Sequence, residues 1–187
     1  ASKDPYYFAL LVMIMRNQRL SAEEVLQVAF EGADTYPDFF DTYFEATAAI
    51  GVLSKKPLAD IEALANTAIE KSKSQIGDEA YARIYWNALQ TIVDSSDWYR
   101  LNWNWQRMKS SMRTIATRYP VQWNIQHFAR FSCIMQDVEE TQLYVGKTSG
   151  PPLAEVWSQS EFFDACREFA QADVTATETE TRKAKAP

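Results

Sequence analysis

The stretch Asp78–Val93, DEAYARIYWNALQTIV, decides the fold. At helical spacing it carries two apolar stripes. Tyr81, Ile84, Tyr85, Ala88 and Ile92 form one; Ala82, Trp86, Leu89 and Val93 form the other. A surface helix needs a single stripe, whereas a helix apolar around most of its girth packs on two sides. This segment is therefore predicted to be a central helix with helical neighbours on both flanks.

Working outward, the same period recurs on either side. Asp4-Pro5 opens a first helix, with Pro in its first turn, that runs to about Asn17. Ser21 caps a second, and Glu24 three residues on completes a capping box. Tyr36-Pro37 ends it. Asp38 is expected to cap a third. Pro57 starts a fourth, which Gly77 is expected to terminate. Ser95–Trp105 reads as a polar and aromatic connection. A helix follows with Trp105, Met108, Met112, Ile115, Ala116 and Tyr119 on one face, ended by Tyr119-Pro120. Further helices are expected over Val121–Met135, from Asp137 to about Val145, and over Leu153–Ala172, with a loop at Gly146–Pro152. The predicted fold class is all-α: eight or nine helices in antiparallel hairpins, stacked as an α-α superhelix in one domain over 1–172. Residues 173–187 have no large apolar side chain after Val174 and read as a disordered tail.

Composition agrees. Only five Gly occur in 187 residues, and β-branched runs are few, which favours helix over sheet. A formal net charge of −6 disfavours non-specific nucleic-acid binding by the whole chain. Two cysteines exclude a disulfide scaffold. Cys133 and Cys166 lie in apolar helical contexts and read as buried free thiols, with a single disulfide as the alternative. The compartment stays open: the cytoplasm is favoured, a processed exported protein the alternative. Tyr6–Met15 is a run of ten apolar residues, too short to span a bilayer. No polar face interrupts it, so one side is expected to pack on the domain and the other on a further segment or a second copy, giving a homodimer through this helix.

Two helices end alike. Ala33-Asp-Thr-Tyr36-Pro37 and Ala116-Thr-Arg-Tyr119-Pro120 share A-x-x-Y-P, and alignment on the Pro matches Val25 with Met108, Ala29 with Met112, Phe40 with Trp123, and Ala46 with Ala129. This pattern resembles tetratricopeptide-type repeats, in which an Ala-rich second helix ends in Pro. Asp137-Val-Glu-Glu-Thr141 is similar to the acidic turn that opens such a helix. The motif Tyr81-Ala82-Arg83-Ile84-Tyr85-Trp86, with Trp105-x-x-Met108-Lys109, Tyr119-Pro120 and Phe128-Ala129-x-Phe131-x-Cys133, also resembles an uncharacterised bacterial helical-repeat family over about residues 78–172. The resemblance implies a stacked helical architecture and no activity.

No catalytic motif stands out. Gly146-Lys147-Thr148 lacks the earlier glycine of a phosphate loop, and Pro151-Pro152 follow where a helix should. His127 is the only histidine and stands six residues from Cys133, the wrong spacing for facing side chains on one helix. The informative feature is charge. Trp98–Gln136 contains no Asp or Glu and six cations, Arg100, Arg107, Lys109, Arg113, Arg118 and Arg130, which leaves −12 on the rest of the chain. The helix beyond Trp103 sets Arg107, Ser111, Thr114 and Arg118 on one stripe and Lys109 with Arg113 on another. Arg107, Lys109, Arg113 and Arg118, with Trp103 and Asn104, are the candidate binding residues, because Arg beside aromatics and amides suits carboxylate or phosphate recognition. The competing reading pairs these cations with acids such as Asp78, Glu79, Asp94 or Asp137 on neighbouring helices. The reading that follows is a non-catalytic module for a protein or peptide partner, acidic in character, with no cofactor or metal and no membrane span. An enzyme with an unrecognised acid/base site and a polyanion binder are the alternatives.

Overall fold

The computed structural model describes residues 4–91 and 103–171 of the chain, and these are helical with no strand among them. The helices are α1 (Tyr6–Asn17), α2 (Ala22–Thr35), α3 (Phe40–Leu53), α4 (Pro57–Ser72), α5 (Glu79–Thr91), α6 (Trp105–Arg118), α7 (Gln122–Ile134), α8 (Val138–Lys147), α9 (Ala154–Trp157) and α10 over 160–171. Most of the expected 95–105 connection and the 173–187 tail lie outside the described residues. The contacts gather in two compact units, Ala1–Thr114 and Ile115–Pro187, with the boundary inside α6.

In the first unit each helix packs on the next and on the next but one: α1 on α2 and α3, α2 on α3 and α4, α3 on α4 and α5. The central helix behaves as its two stripes require. α5 packs on both α3 and α4, and Tyr81, Ala82, Ile84 and Leu89 are buried. Trp86 departs from its stripe and is only half-buried. The predicted capping box closes α2: the Glu24 amide donates to Ser21 Oγ (3.2 Å) and the Ser21 amide to Glu24 Oε2 (2.9 Å). Pro57 occupies the first turn of α4, where its missing N–H costs nothing. Gly32 marks a close crossing. A Cβ there would sit 3.0 Å from Thr42 Cγ2 and 3.1 Å from Phe8 Cβ, so α2 meets α1 and α3 almost backbone to side chain.

Two terminal signals are corrected here. Asp38 does not cap α3; the cap position is Phe39, without a side-chain bond, and Asp38 Oδ1 is buried without a partner among the described residues. Gly77 does not end α4, which stops at Ser72. The amides of Gln75, Ile76 and Gly77 converge on the Ser72 carbonyl at 2.9–3.0 Å, and Gly77 supplies the left-handed residue (φ +56°) that turns the chain into α5.

The second unit is built on α7 and α8, with Phe128 against Tyr144 (centroids 5.5 Å apart, edge-on). Cys133 and Cys166 are not free thiols. They form a disulfide with Cα atoms 5.6 Å apart, because α10 returns beside the end of α7, a long-range approach that local context cannot reveal. The expected single helix over Leu153–Ala172 is also two. Ser158 takes φ +57° and stops α9 after one turn, while Trp157 turns inward against Phe163 (4.9 Å). Asp137 caps α8 as its position predicts, accepting from the Glu140 amide at 3.1 Å.

Candidate binding surfaces

In the first unit the start of α6 is anchored by a polar cluster. Asn104 Oδ1 accepts from the Arg107 amide (3.0 Å), and the Asn104 amide donates to the Tyr81 hydroxyl (3.3 Å). Arg107 Nη1 donates to Asn66 Oδ1 (2.6 Å) and lies 3.5 Å from Glu62 Oε1, while its guanidinium stands over the Tyr81 ring at 4.7 Å. The other oxygen of Glu62 accepts from Tyr85 (2.5 Å) and Tyr81 (3.1 Å). Burial, followed for Tyr85 by its bond to the Glu62 carboxylate, raises the pKa of both phenols, so both remain protonated donors. Trp103 packs beside Tyr85 and Trp105, 5.8 Å from each, and its buried Nε1 has no partner among the described residues. A cleft of about 400 Å³ opens beside the cluster, lined by Leu58, Ala59, Glu62, Tyr85, Trp103 and Asn104.

Arg107 thus meets a carboxylate, and it is none of the four acids the sequence singled out. Glu79 is buried beside Arg83 (3.3 Å), the Asp78 carbonyl accepts from Ser111 (2.6 Å), and Asp137 caps α8. Glu62 receives its donors from α5 and α6 while sitting on α4, so Arg107 ties three helices together. The signal for this was present but mute: Tyr81 and Tyr85 stand one turn apart, yet nothing local says that a carboxylate on α4 lies between them.

Of the other candidate cations, Lys109 is half-buried, and Arg113 and Arg118 are exposed. Arg118 belongs to the second unit, where its guanidinium stands 5.6 Å over the Tyr119 ring at the Tyr-Pro corner. That corner is open: Tyr119, Val121 and Trp123 are 41%, 55% and 43% exposed. Trp123 rests on His127, ring centroids 4.5 Å apart. His127 is itself buried, with Nδ1 2.9 Å from the Trp123 carbonyl, which can only accept and so fixes the proton on Nδ1. Burial, helped by the Arg130 charge, pushes its pKa down to about 4, so the imidazole is neutral at neutral pH. With Cys133 bonded, no thiol serves as its partner. Among the described residues no group of three or more His, Cys, Asp or Glu is placed to hold a metal ion. No helix among them is long and apolar enough to cross a membrane.

Of the residues matched between the two Tyr-Pro segments, Val25, Ala29, Ala46, Met108, Met112 and Ala129 are all fully buried. The two corners differ at the surface. At the first Tyr-Pro corner Phe8 approaches Tyr36 (6.4 Å), Tyr6 stands edge-on to Phe39 (4.8 Å), and Phe40 lies under Arg83 (5.6 Å). At the second, the matched residues face solvent. No family model, curated protein or solved structure matches the chain.

Proposed function

We propose that the chain is a non-catalytic helical module that binds a protein or peptide, and that its binding surface includes Arg118, Tyr119, Val121 and Trp123. The observation that carries this reading is the open Tyr-Pro corner: one exposed Trp and one Tyr under a guanidinium, the residue types that dominate binding energy at protein interfaces. The segment around it has no acid from Trp98 to Gln136, so the partner is acidic with apolar anchors. The spacing of the first four helices supports the same reading. α3 begins 34 residues after α1 (Tyr6 to Phe40) and α4 begins 35 after α2 (Ala22 to Pro57), close to the period of about 34 of tetratricopeptide repeats. We also propose that the module self-associates through α1.

The test uses two labelled peptides of equal length, one of Glu and Leu and one of Lys and Leu, titrated into the full chain by fluorescence anisotropy. Saturable binding of the acidic peptide is expected, weakened about tenfold or more by Trp123→Ala and by Arg118→Glu with the melting temperature unchanged. Equal affinity of both variants, or preference for the basic peptide, overturns the reading. Tight binding of an RNA oligonucleotide with a steep salt slope would replace it with a polyanion binder.

A further inference from the structure

The outward face of α1 is the clearest unaccounted apolar surface. Phe8, Ala9, Val12 and Met15 are buried against α2 and α3. On the opposite side Tyr6, Leu10 and Ile14, one turn apart, are 56%, 51% and 46% exposed, with Tyr7 beside them at 42%. No charged residue interrupts the sequence between Asp4 and Arg16. Charges mark only the two ends: exposed Asp4 before the helix, accepting from the Tyr6 amide, and at its finish Arg16, paired with Glu45 (3.1 Å), and exposed Arg19.

This stripe reads nearly the same in both directions about Leu10. Four residues before it stands Tyr6 and four after it Ile14; six before stands Asp4 and six after Arg16. We propose that the occupant of this face is α1 of a second copy, antiparallel, with Leu10 on the two-fold axis; this rests on the self-association reading above. A two-fold contact uses one patch twice, so the patch must complement itself. The antiparallel arrangement sets Leu10 on Leu10 and Tyr6 on Ile14, and keeps the two Asp4 ends apart. A parallel pairing would place Asp4 beside Asp4 and align the helix dipoles. A chain of net charge −6 repels its copy over most of its surface, and this uncharged stripe is where that repulsion is least. One face of a 12-residue helix is smaller than the roughly 800 Å² per partner of a standard interface, so the dimer is a dissociating one.

The geometry is tested on the full chain by single cysteines under mild oxidation, the native pair being already bonded. Across the proposed axis Leu10→Cys links to itself. Tyr6→Cys does not, because the two copies of residue 6 stand eight residues apart along the helices, about 12 Å, beyond the roughly 7 Å a disulfide spans. Tyr6→Cys mixed with Ile14→Cys does link. Sedimentation from low to high micromolar concentration shows dimer, and Leu10→Glu shows monomer with an unchanged melting temperature, since Leu10 is half-exposed. A wild-type monomer at every concentration, or a dimer indifferent to Leu10→Glu, overturns self-association through α1 and this inference with it. A dimer that Leu10→Glu dissociates, but in which Tyr6→Cys links to itself, keeps the interface and overturns only the antiparallel arrangement.

Discussion

The two units finish a helix with the same letters, Ala-x-x-Tyr-Pro, and build different interiors around it. In the first, side chains from successive helices do the work: Val12, Val25, Tyr43, Ile50, Ile61, Leu64, Tyr81 and Leu89 are all buried, and apart from the Glu62 cluster and the Ser111 bond to the Asp78 carbonyl several buried polar groups are satisfied within a turn or two. Thr47 donates to the Tyr43 carbonyl, Ser72 to that of Ala68, and Asp60 accepts from Ser54. In the second, polar groups span the unit. Gln126, fully buried, accepts from the Leu153 amide (2.8 Å) and the Trp157 indole (2.9 Å) and donates to the Pro151 carbonyl (3.3 Å). Gln122, one turn earlier, holds Lys147 and Ser149. The disulfide joins residues 33 apart. The difference follows from size. A domain of about 60 residues buries only about 60% of the surface its chain exposes and leans on staples, whereas five successive helices can share one apolar interior.

The sharpest way to break this comparison is to cut the staple. Replacing Cys133 and Cys166 by Ser should cost the second unit about 3.7 kcal/mol, the loop entropy released by a 33-residue closure. The first unit should keep its stability. Hydrogen exchange read separately on α7–α8 and on α3–α5 checks this, and equal loss of protection in both would show that the units do not hold themselves up independently.

A second test is acid. His127 is neutral and buried, with its folded pKa depressed from 6.5 to about 4. Below pH 6.5 the unfolded chain takes up a proton that the folded unit refuses until about pH 4. Its contribution is therefore complete above pH 6.5 and is lost as pH falls through that window, by about 3 kcal/mol in all. Denaturant titrations at intervals from pH 7 to pH 4 should show the decline, and His127→Gln should flatten that part of it.

How much of this was legible follows from range. Periodicity and caps are local, and so α1, the Ser21–Glu24 box, the Pro57 start, the Asp137 cap and the two-sided α5 could be read directly. Gly77 and Asp38 misled because each satisfies a terminal rule that another group fulfils in space: the Ser72 carbonyl gathers the amides, and Phe39 takes the cap position. The disulfide, the Gln126 hub and the Glu62 cluster join residues 19 to 45 positions apart. Single-sequence patterns carry no information at that distance. For the same reason the acid-free stretch could be recognised as unusual while its six cations could not be sorted.

The Glu62 cluster offers a milder perturbation inside the first unit. Tyr85→Phe removes the donor 2.5 Å from the carboxylate and leaves the ring, so the loss is one hydrogen bond to a charged group, about 1.5 kcal/mol. Thermal melts of the variant should show it, with α5 packing intact by circular dichroism. No change would mean that Glu62 is solvated well enough not to need Tyr85.

The smallest effect separates the cations themselves. Arg107 is held by Asn66, Glu62 and the face of Tyr81, half-buried with a side-chain exposure of 32%. Arg107→Ala should therefore destabilise by about 1 kcal/mol, mostly through the lost bond to Asn66 and the stacked guanidinium, because the ion pair to a 38%-exposed Glu62 is screened by water. Arg113 and Arg118 are exposed, so their charges are screened by water. Arg113→Ala and Arg118→Ala should each stay within about 0.5 kcal/mol of the parent. Urea unfolding of the three variants at two salt concentrations measures all of this at once. If the ranking holds, the sequence's single basic stretch is two things: Arg107 is a clasp between helices, and Arg118 is an exposed side chain that the fold does not depend on. If Arg118→Ala unfolds the second unit as strongly as loss of a buried cation would, the open corner is part of the fold and the acidic partner has no surface to meet.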